Sequence, residues 1–301
     1  MDMRLFCFGH AGAGASGFGR WQHHCGPGVD VVPMTLPGRA GRRREPRATS
    51  RDALLEDLFA PLAAAAARGP YALYGHSLGA LVAHALTRAL LEAGLPAPKL
   101  LAVGACHAPH TTAPAVPRAQ AGDAGVLEFA AAAGAAPRGV LAAPTGLWHR
   151  TVLPVLRDDL ALARALRTAA AADRPRALPV LLLAVGGAHD PLVDAAALDG
   201  WRAWTRHPPA RRTLPGDHFF QRTPAAPRLI GRACRVAERL HARTPAPAPR
   251  PARPVPAASP APAGTPLPGP SPTPFPTSSP TSSATSSATF FPTRTERPWT
   301  A

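Results

Sequence analysis

Residues 71–92 read YALYGHSLGALVAHALTRALLE and combine two different periodicities of apolar residues. The run 71–74 is apolar, as in a buried strand, and from Ala80 onward apolar side chains recur at the i, i+3, i+4 spacing of a helix. Between the two lies Gly75-His76-Ser77-Leu78-Gly79, a G-x-S-x-G pattern. A serine in such a strand-to-helix turn is strained, and its hydroxyl is exposed. The stretch therefore predicts that Ser77 is a nucleophile.

Further short apolar runs, with helical patterns between them, recur through the first 243 residues. They cover 5–8, 29–34, 100–105 and 179–185. Strands that alternate with helices are typical of an α/β fold with a mainly parallel sheet. Residues 108–178 are rich in Ala and Pro and carry no strand signal, which predicts short helices inserted between two strands. Such an insertion can form a lid over the sheet edge at which ligands bind.

The composition changes sharply near residue 244. Residues 244–301 hold 17 of the 39 prolines, together with Ser/Thr runs such as TSSPTSSATSSAT, and almost no aliphatic residues. Such a segment cannot bury enough apolar area to offset its conformational entropy. The sequence therefore predicts one folded domain at 1–243 and a disordered, low-complexity tail at 244–301.

The charge of the chain is strongly basic and comes almost wholly from arginine. The formal net charge is +15, and Lys99 is the single lysine. The tail carries four arginines and one glutamate, which leaves +12 on residues 1–243. The basic run Arg42-Arg43-Arg44 is short and is not interleaved with aromatic residues, so it does not resemble a groove that follows nucleic-acid phosphates. We expect no nucleic-acid partner.

The cysteines and the apolar runs indicate the compartment. Cys7, Cys25, Cys106 and Cys234 lie far apart, without the C-x-x-C or His/Cys spacing that holds zinc, so we expect free thiols and no metal. The amino-terminal residues MDMRLFCF do not read as a signal peptide. No apolar run reaches the roughly 18 residues of a membrane span. These features predict a cytoplasmic protein without a membrane partner.

A serine hydroxyl needs a histidine to take its proton, and that histidine needs a carboxylate to fix its tautomer. In a strand-turn-helix site of this kind, the three residues follow the chain order Ser, Asp, His. Asp190 comes after an apolar run in PVLLLAVGGAHDPLV, and His218 comes later in LPGDHFFQR. The sequence therefore predicts Ser77, Asp190 and His218 as the catalytic residues.

Neighbouring side chains offer alternatives for these roles. His76 adjoins Ser77, but the turn would direct its ring away, so we expect it to pack or to shape the pocket. His189 and Asp217 are sequence neighbours of the chosen acid and base, and Asp217 is the main alternative acid. Three other histidines are candidates either for the pocket mouth or for ordinary polar surface: His10, His107 and His110.

Stabilising a tetrahedral intermediate requires two backbone N–H donors, one from the residue after the nucleophile and one from the loop after the first core strand. The first donor is Leu78. The loop FGHAGAGAS supplies the second, for which we select Ala11. This loop does not match a dinucleotide site, because GHAGAG lacks the G-x-G-x-x-G spacing before a helix and no acidic residue follows the second strand. We expect no nucleotide cofactor.

Several separate motifs across residues 4–222 resemble the type II thioesterases that accompany nonribosomal peptide and polyketide synthases. They are LFCF followed by AG and later Trp21, LPGR at 36–39 with Glu45-Pro46, PYALYGHSLGALVAH, APH at 108–110, LPVLRDD at 153–159, GGAHDPLV and GDHFF. The family's nucleophile, acid and base correspond to Ser77, Asp190 and His218, and its oxyanion donors to Leu78 and Ala11. The chain departs from the family at Gly9-His10, where Pro-Tyr is usual, and at Asp217, where Gly is usual.

The resemblance implies an α/β-hydrolase fold with a helical lid. It also implies hydrolysis of acyl thioesters on the phosphopantetheine arms of acyl or peptidyl carrier domains, which removes misprimed or stalled groups. No cofactor is implied, and we expect a monomer whose basic surface suits an acidic carrier domain. The alternatives are a serine esterase or an acyltransferase with the same three residues, or a weakly active protein that binds carriers.

Overall fold

The computed structural model describes residues 2–111, 122–136, 146–172 and 176–243. The predicted tail at 244–301 and parts of the predicted lid lie outside the described residues. The fold below is that of the described ranges.

Six parallel strands form one sheet in the spatial order β2-β1-β3-β4-β5-β6. Along the chain they are β1 (Met3–Phe8), β2 (Val29–Met34), β3 (Tyr71–His76), β4 (Leu100–Gly104), β5 (Leu181–Gly187) and β6 (Ala210–Leu214). The strand order reverses at β1, which pairs with both β2 and β3. Ligands of open α/β sheets bind at such a reversal, outside the carboxyl ends of the strands.

Helices cover both faces of the sheet. The α-helices of the described residues are α1 (Trp21–Cys25), α2 (Arg51–Ala67), α3 (Leu78–Glu92), α4 (Asp123–Ala132), α5 (Leu147–Thr151), α6 (Leu153–Ala172) and α7 (Ala225–Arg243). Helices of the 3-10 type cover Ala15–Phe18, Ala40–Arg42, Ala196–Trp204 and Phe220–Arg222.

Alternate side chains of the strands enter two separate apolar layers. Phe6 and Leu73 belong to the layer that includes residues of α2, α3 and α6. Their neighbours Leu5 and Ala72 belong to the layer that includes residues of α1 and α7. Because successive side chains of a strand point to opposite faces, a sheet covered on both sides needs continuous apolar strands. The buried runs of the sequence meet this requirement.

The predicted α/β architecture is confirmed, and each of the predicted apolar runs lies on a strand of the sheet. The apolar runs of the sequence do not predict β6. This edge strand reads ARRTL, and four of its five residues are exposed, so it carries no apolar run. Its place in the sheet comes from backbone pairing with β5.

The predicted insertion at 108–178 contains α4, α5 and α6 within the described residues. The expectation that its helices are short was wrong for α6, which has 20 residues. Pro154 does not interrupt this helix because it lies in the first turn, where the N–H that proline lacks has no helical partner.

The cysteine side chains and the helices were both addressed by predictions from the sequence. All four cysteines are buried and free, as expected. Among the described residues, no helix is both long enough and apolar enough to cross a membrane.

His84 on α3 is buried and contacts two indole rings. Its ring centroid lies 5.7 Å from that of Trp201 and 4.5 Å from that of Trp204. Burial lowers the pKa of His84 from 6.5 to about 3, and the positive charge of Arg88 acts in the same direction. The folded protein therefore holds this side chain neutral well below the pH at which an unfolded chain would protonate it.

We predict that acidification from pH 7 to pH 5 destabilises the fold partly through His84. Above pH 6.5 the side chain is neutral in both states and contributes no difference; below it only the unfolded state gains the proton. At pH 5 this difference costs about 2 kcal/mol of unfolding free energy. Urea unfolding at both pH values should show a smaller pH-dependent loss in His84→Leu than in the wild type. Equal losses in the two proteins would contradict the prediction.

Candidate active site

Ser77 occupies a strained turn between β3 and α3. Its backbone has φ 55° and ψ −115°, a left-handed conformation that costs a non-glycine residue on the order of 1 kcal/mol or more. The flanking glycines permit the turn. A Cβ on Gly75 would lie 1.9 Å from the carbonyl oxygen of Gly79, and a Cβ on Gly79 would lie 2.1 Å from that of Phe8. The G-x-S-x-G pattern is therefore required by close backbone contact on both sides of the serine.

The predicted site residues all follow carboxyl ends of strands at one edge of the sheet. Ser77 comes directly after β3, while Asp190, His218 and Ala11 lie in the loops after β5, β6 and β1. The loops after β5 and β6 are joined by backbone hydrogen bonds, since the N–H of Ala188 donates to the carbonyl of Leu214 at 2.8 Å and that of His189 to the carbonyl of Gly216 at 2.9 Å. Parallel strands thus bring together residues that are far apart in sequence.

Ser77, His218 and Asp190 form a hydrogen-bonded chain. The Oγ of Ser77 lies 3.1 Å from Nε2 of His218, and Nδ1 of His218 lies 2.9 Å and 3.0 Å from the two oxygens of Asp190. The side chains of His218 and Asp190 are 4% and 0% exposed. When Nδ1–H donates to the carboxylate, the lone pair of Nε2 faces the serine hydroxyl. This is the geometry needed for a base that deprotonates Ser77.

The carboxylate of Asp190 has further donors. Its Oδ1 accepts the backbone N–H groups of Leu192 and Val193 at 2.9 Å and 3.2 Å. The alternative acid, Asp217, instead accepts the N–H of Phe219 within its own loop at 2.8 Å. The structure therefore brings Asp190 to the ring of His218 and leaves the carboxylate of Asp217 bound to its own loop.

His76 lies beneath the site, away from the serine hydroxyl. Its Nε2–H donates to the backbone carbonyl of His218 at 2.7 Å, and the hydroxyl of Tyr74 donates to its Nδ1 at 2.9 Å. Burial lowers the pKa of His76 well below its ordinary value, so the ring stays neutral. One tautomer satisfies both bonds, and the expected packing role agrees with this placement. No local sequence pattern predicts that the ring holds the backbone of His218.

The other candidate histidines have different surroundings. His107 lines the cavity at Ser77, and burial lowers its pKa. His110 accepts the indole N–H of Trp204 at 2.8 Å. His10 donates its Nδ1–H to the carbonyl of Ala11 at 2.9 Å, and burial lowers its pKa to about 4. His189 is exposed.

Ser77 and His218 line one cavity together with both predicted oxyanion donors, Ala11 and Leu78. Side chains from α3, α4, α6 and the loop after β5 make much of its wall apolar: Leu81, Phe129, Leu160, Leu192 and Val193. An apolar wall beside a nucleophile suits an acyl group. Within the described ranges, no cluster of His, Cys, Asp and Glu side chains could hold a metal ion.

A second concavity, of about 600 Å³, adjoins the loop that carries Ala11. Its wall includes exposed Arg20 and Arg222 as well as His10, His24 and Trp21. We refer to it below as the basic groove.

Arg39 and Asp159 form a buried ion pair beside this loop that sequence reasoning did not single out. The guanidinium and carboxylate meet at 2.5 Å and 2.8 Å, and their side chains are 8% and 1% exposed. Arg39 ends the motif LPGR, and Asp159 ends the motif LPVLRDD after Arg157 and Asp158. The sequence signal is therefore charge at the end of a motif that is otherwise mostly apolar.

We predict that Tyr74→Phe weakens both the fold and the site. The buried Nδ1 of His76 loses its donor, which costs about 1–3 kcal/mol of unfolding free energy and frees the ring to change tautomer and release the carbonyl of His218. Fluorophosphonate labelling of Ser77 should therefore become several-fold slower in the folded variant. Tyr71→Phe is the matched control, because that hydroxyl donates to the carbonyl of Pro96 at 2.6 Å at the opposite end of β3. Unchanged labelling in Tyr74→Phe would refute the coupling.

Known proteins are similar to this chain in sequence and in architecture. Residues 3–239 match the family model of the thioesterase domain. Thioesterase PikA5 of Streptomyces venezuelae is 32% identical over 219 residues, which are 72% of this chain and 75% of that protein. The solved structure of RedJ, a thioesterase from the prodiginine pathway of Streptomyces coelicolor, matches with a TM-score of 0.67 at 33% identity over 77% of this chain and 89% of that one. YbtT, a type II thioesterase from the yersiniabactin NRPS/PKS pathway, matches with a TM-score of 0.66 at 27% identity over 78% of this chain and 94% of that one. The chain therefore belongs to the thioesterase family, whose members hydrolyse thioesters on an α/β-hydrolase fold.

Proposed function

We propose that this thioesterase hydrolyses acyl groups from the phosphopantetheine arm of acyl or peptidyl carrier domains, and so removes misprimed or stalled groups during nonribosomal peptide or polyketide synthesis. One observation carries the proposal. In this member of the thioesterase family, the hydrogen-bonded chain of Ser77, His218 and Asp190 lies beside a cavity whose wall is mostly apolar. The pathways named for RedJ and YbtT support this class of substrate.

The first half of the proposed reaction forms an acyl-enzyme. The Oγ of Ser77 attacks the thioester carbonyl carbon while Nε2 of His218 takes the hydroxyl proton, and Asp190 stabilises the imidazolium. The N–H groups of Leu78 and Ala11 donate to the oxyanion of the tetrahedral intermediate. The C–S bond then breaks, and His218 donates the proton to the departing thiolate, which leaves as a thiol.

The second half releases the acid. A water molecule attacks the acyl-enzyme carbonyl while His218 takes one of its protons, and the second tetrahedral intermediate collapses by breaking the bond to Oγ. His218 then reprotonates Ser77, so that one thioester and one water give one acid and one thiol. The side chains of Ser77, His218 and Asp190, two backbone donors and water supply every group in these steps, so we propose that no metal or organic cofactor takes part.

The charge of the molecule supports a carrier domain as the partner. Residues 1–243 carry +12, and Arg20 and Arg222 stand exposed in the basic groove beside the loop of Ala11. A basic surface attracts an acidic partner and raises its association rate. We further propose a monomer in a reducing cytoplasm, for which the four buried free thiols are the supporting observation on compartment.

The direct test measures release of a short acyl group from an acylated carrier protein. Ser77→Ala and His218→Ala should each lose turnover by a factor on the order of 10³ or more. Asp190→Asn should also lose most activity, because the neutral amide no longer stabilises the imidazolium. Asp217→Asn is the matched control and should stay within a few-fold of wild type, since an amide oxygen can still accept the N–H of Phe219.

Other outcomes of the same assay would select the alternatives. Faster cleavage of a matched oxygen ester than of the thioester would indicate an esterase. Transfer to an added nucleophile in excess of hydrolysis would indicate an acyltransferase. Carrier binding without turnover, unaffected by Ser77→Ala, would indicate a binding protein.

We predict that salt affects carrier substrates and small substrates differently. Raising the ionic strength from 0.05 to 0.5 M should lower kcat/KM for an acylated carrier severalfold, because screening removes long-range attraction, and should leave hydrolysis of a small neutral thioester nearly unchanged. Arg20→Glu should imitate the salt effect. Arg68→Glu, an exposed arginine at the amino-terminal edge of the sheet, is the control. Equal salt responses of the two substrates would rule out electrostatic steering.

A further inference from the structure

The loop that carries Ala11 is held by bonds at each successive peptide. The carbonyl of His10 accepts the N–H of Ala13 at 2.9 Å. The next peptide is fixed at both ends, because the carbonyl of Ala11 accepts Nδ1–H of His10 at 2.9 Å and the N–H of Gly12 donates to Asp159 at 2.7 Å. The carbonyl of His10 and the N–H of Ala11 belong to the same planar peptide. Fixing the direction of this carbonyl therefore also fixes the direction of the Ala11 N–H.

Two of the groups that hold this loop come from the ion pair of Arg39 and Asp159. Oδ2 of Asp159 accepts the N–H of Gly12 and also Nη1 of Arg39 at 2.8 Å, while Oδ1 accepts Nη2 at 2.5 Å. Nη1 of Arg39 donates in addition to the carbonyl of Ala13 at 3.2 Å. The hydrogen bonds to Gly12 and Ala13 add to the bonds within the pair. Such additional bonds help to offset the cost of removing two charges from water.

The ion pair also joins two elements that are remote in sequence. Arg39 follows β2 and is itself followed by Ala40, whose φ of 47° is a left-handed conformation that a side chain rarely adopts. Asp159 lies on α6, the helix whose Leu160 lines the cavity at Ser77. A strained backbone persists where its surroundings over-determine it. The loop of Ala11 is thus clamped between the segment after β2 and the helix that walls the acyl cavity.

We infer that Arg39 and Asp159 are positioning residues that set the Ala11 N–H for the oxyanion and couple its placement to the docking of α6. This inference rests on the proposed function, because it assigns the pair a part in stabilising the tetrahedral intermediate. Neither side chain touches the reacting atoms. Removing the pair therefore weakens binding of the transition state and leaves binding of the ground-state substrate largely intact.

The test compares Asp159→Asn with its sequence neighbour Asp158→Asn. Asp158 lies on the same helix and pairs with Arg47 at 2.5 Å, but this pair is about 30% exposed and has no bond to the loop of Ala11 among the described contacts. Asp159→Asn should lower kcat for thioester hydrolysis about 10- to 100-fold with KM within about threefold, because a donor displaced by a fraction of an ångström loses most of its effect. Asp158→Asn should stay within about twofold in both constants.

A second measurement separates positioning from folding. Active sites are counted by fluorophosphonate titration, and affinity is measured for a trifluoromethyl ketone analogue, whose adduct with Ser77 places an oxyanion at the donors. In Asp159→Asn the affinity for this ketone should fall in parallel with kcat per titrated site. Should Asp159→Asn not fold, Arg39→Lys keeps the charge but loses the two-pronged geometry, and it should show the same parallel loss.

The inference is overturned if kcat per titrated site and ketone affinity are unchanged in both Asp159→Asn and Arg39→Lys. It is also overturned if KM rises while kcat is constant, since the pair would then act in substrate binding. If the wild type hydrolyses no thioester, the proposed function fails. Ketone affinity and the rate of fluorophosphonate labelling at Ser77 still test the pair in that case, because both depend on the same oxyanion donors.

Discussion

Close contact between backbone segments around Ser77 determines how the strands and the helix of the site meet. The oxygen of Gly79 fills the space of a side chain on Gly75, and the oxygen of Phe8 fills that of a side chain on Gly79. Strand β3, helix α3 and the end of β1 therefore meet with no side chain between them. This contact places the serine beside the loop after β1, at the point where the strand order reverses.

Around this contact, hydrogen bonds between buried polar groups hold the site. The ring of His218 is oriented by Asp190, and its backbone is held from below by His76 and Tyr74. Such networks are stable only when every member has a partner, and they then specify one arrangement. His218 is thus fixed both at its ring and at its main chain, and such preorganisation is what electrostatic stabilisation of a transition state needs.

The loop that carries Ala11 likewise depends on its own sequence and on contacts from remote segments. The glycines of this loop give its backbone conformational freedom, but they do not select a direction for its N–H groups. The direction comes from Asp159 and Arg39, which arrive from α6 and from the segment after β2. Where the thioesterase family usually has Pro-Tyr, this chain has Gly9-His10, and the imidazole of His10 holds the carbonyl of Ala11.

The sequence by itself determined the α/β class, the turn at Ser77 and the positions of Asp190 and His218, because buried strands and tight turns leave local patterns of apolar residues and glycines. Two other features are defined only by tertiary contacts. Strand β6 is exposed and is defined only by pairing with β5, while the ion pair of Arg39 and Asp159 joins charges 120 residues apart. Contacts between remote segments depend on how elements pack, and no local pattern in either segment records its partner.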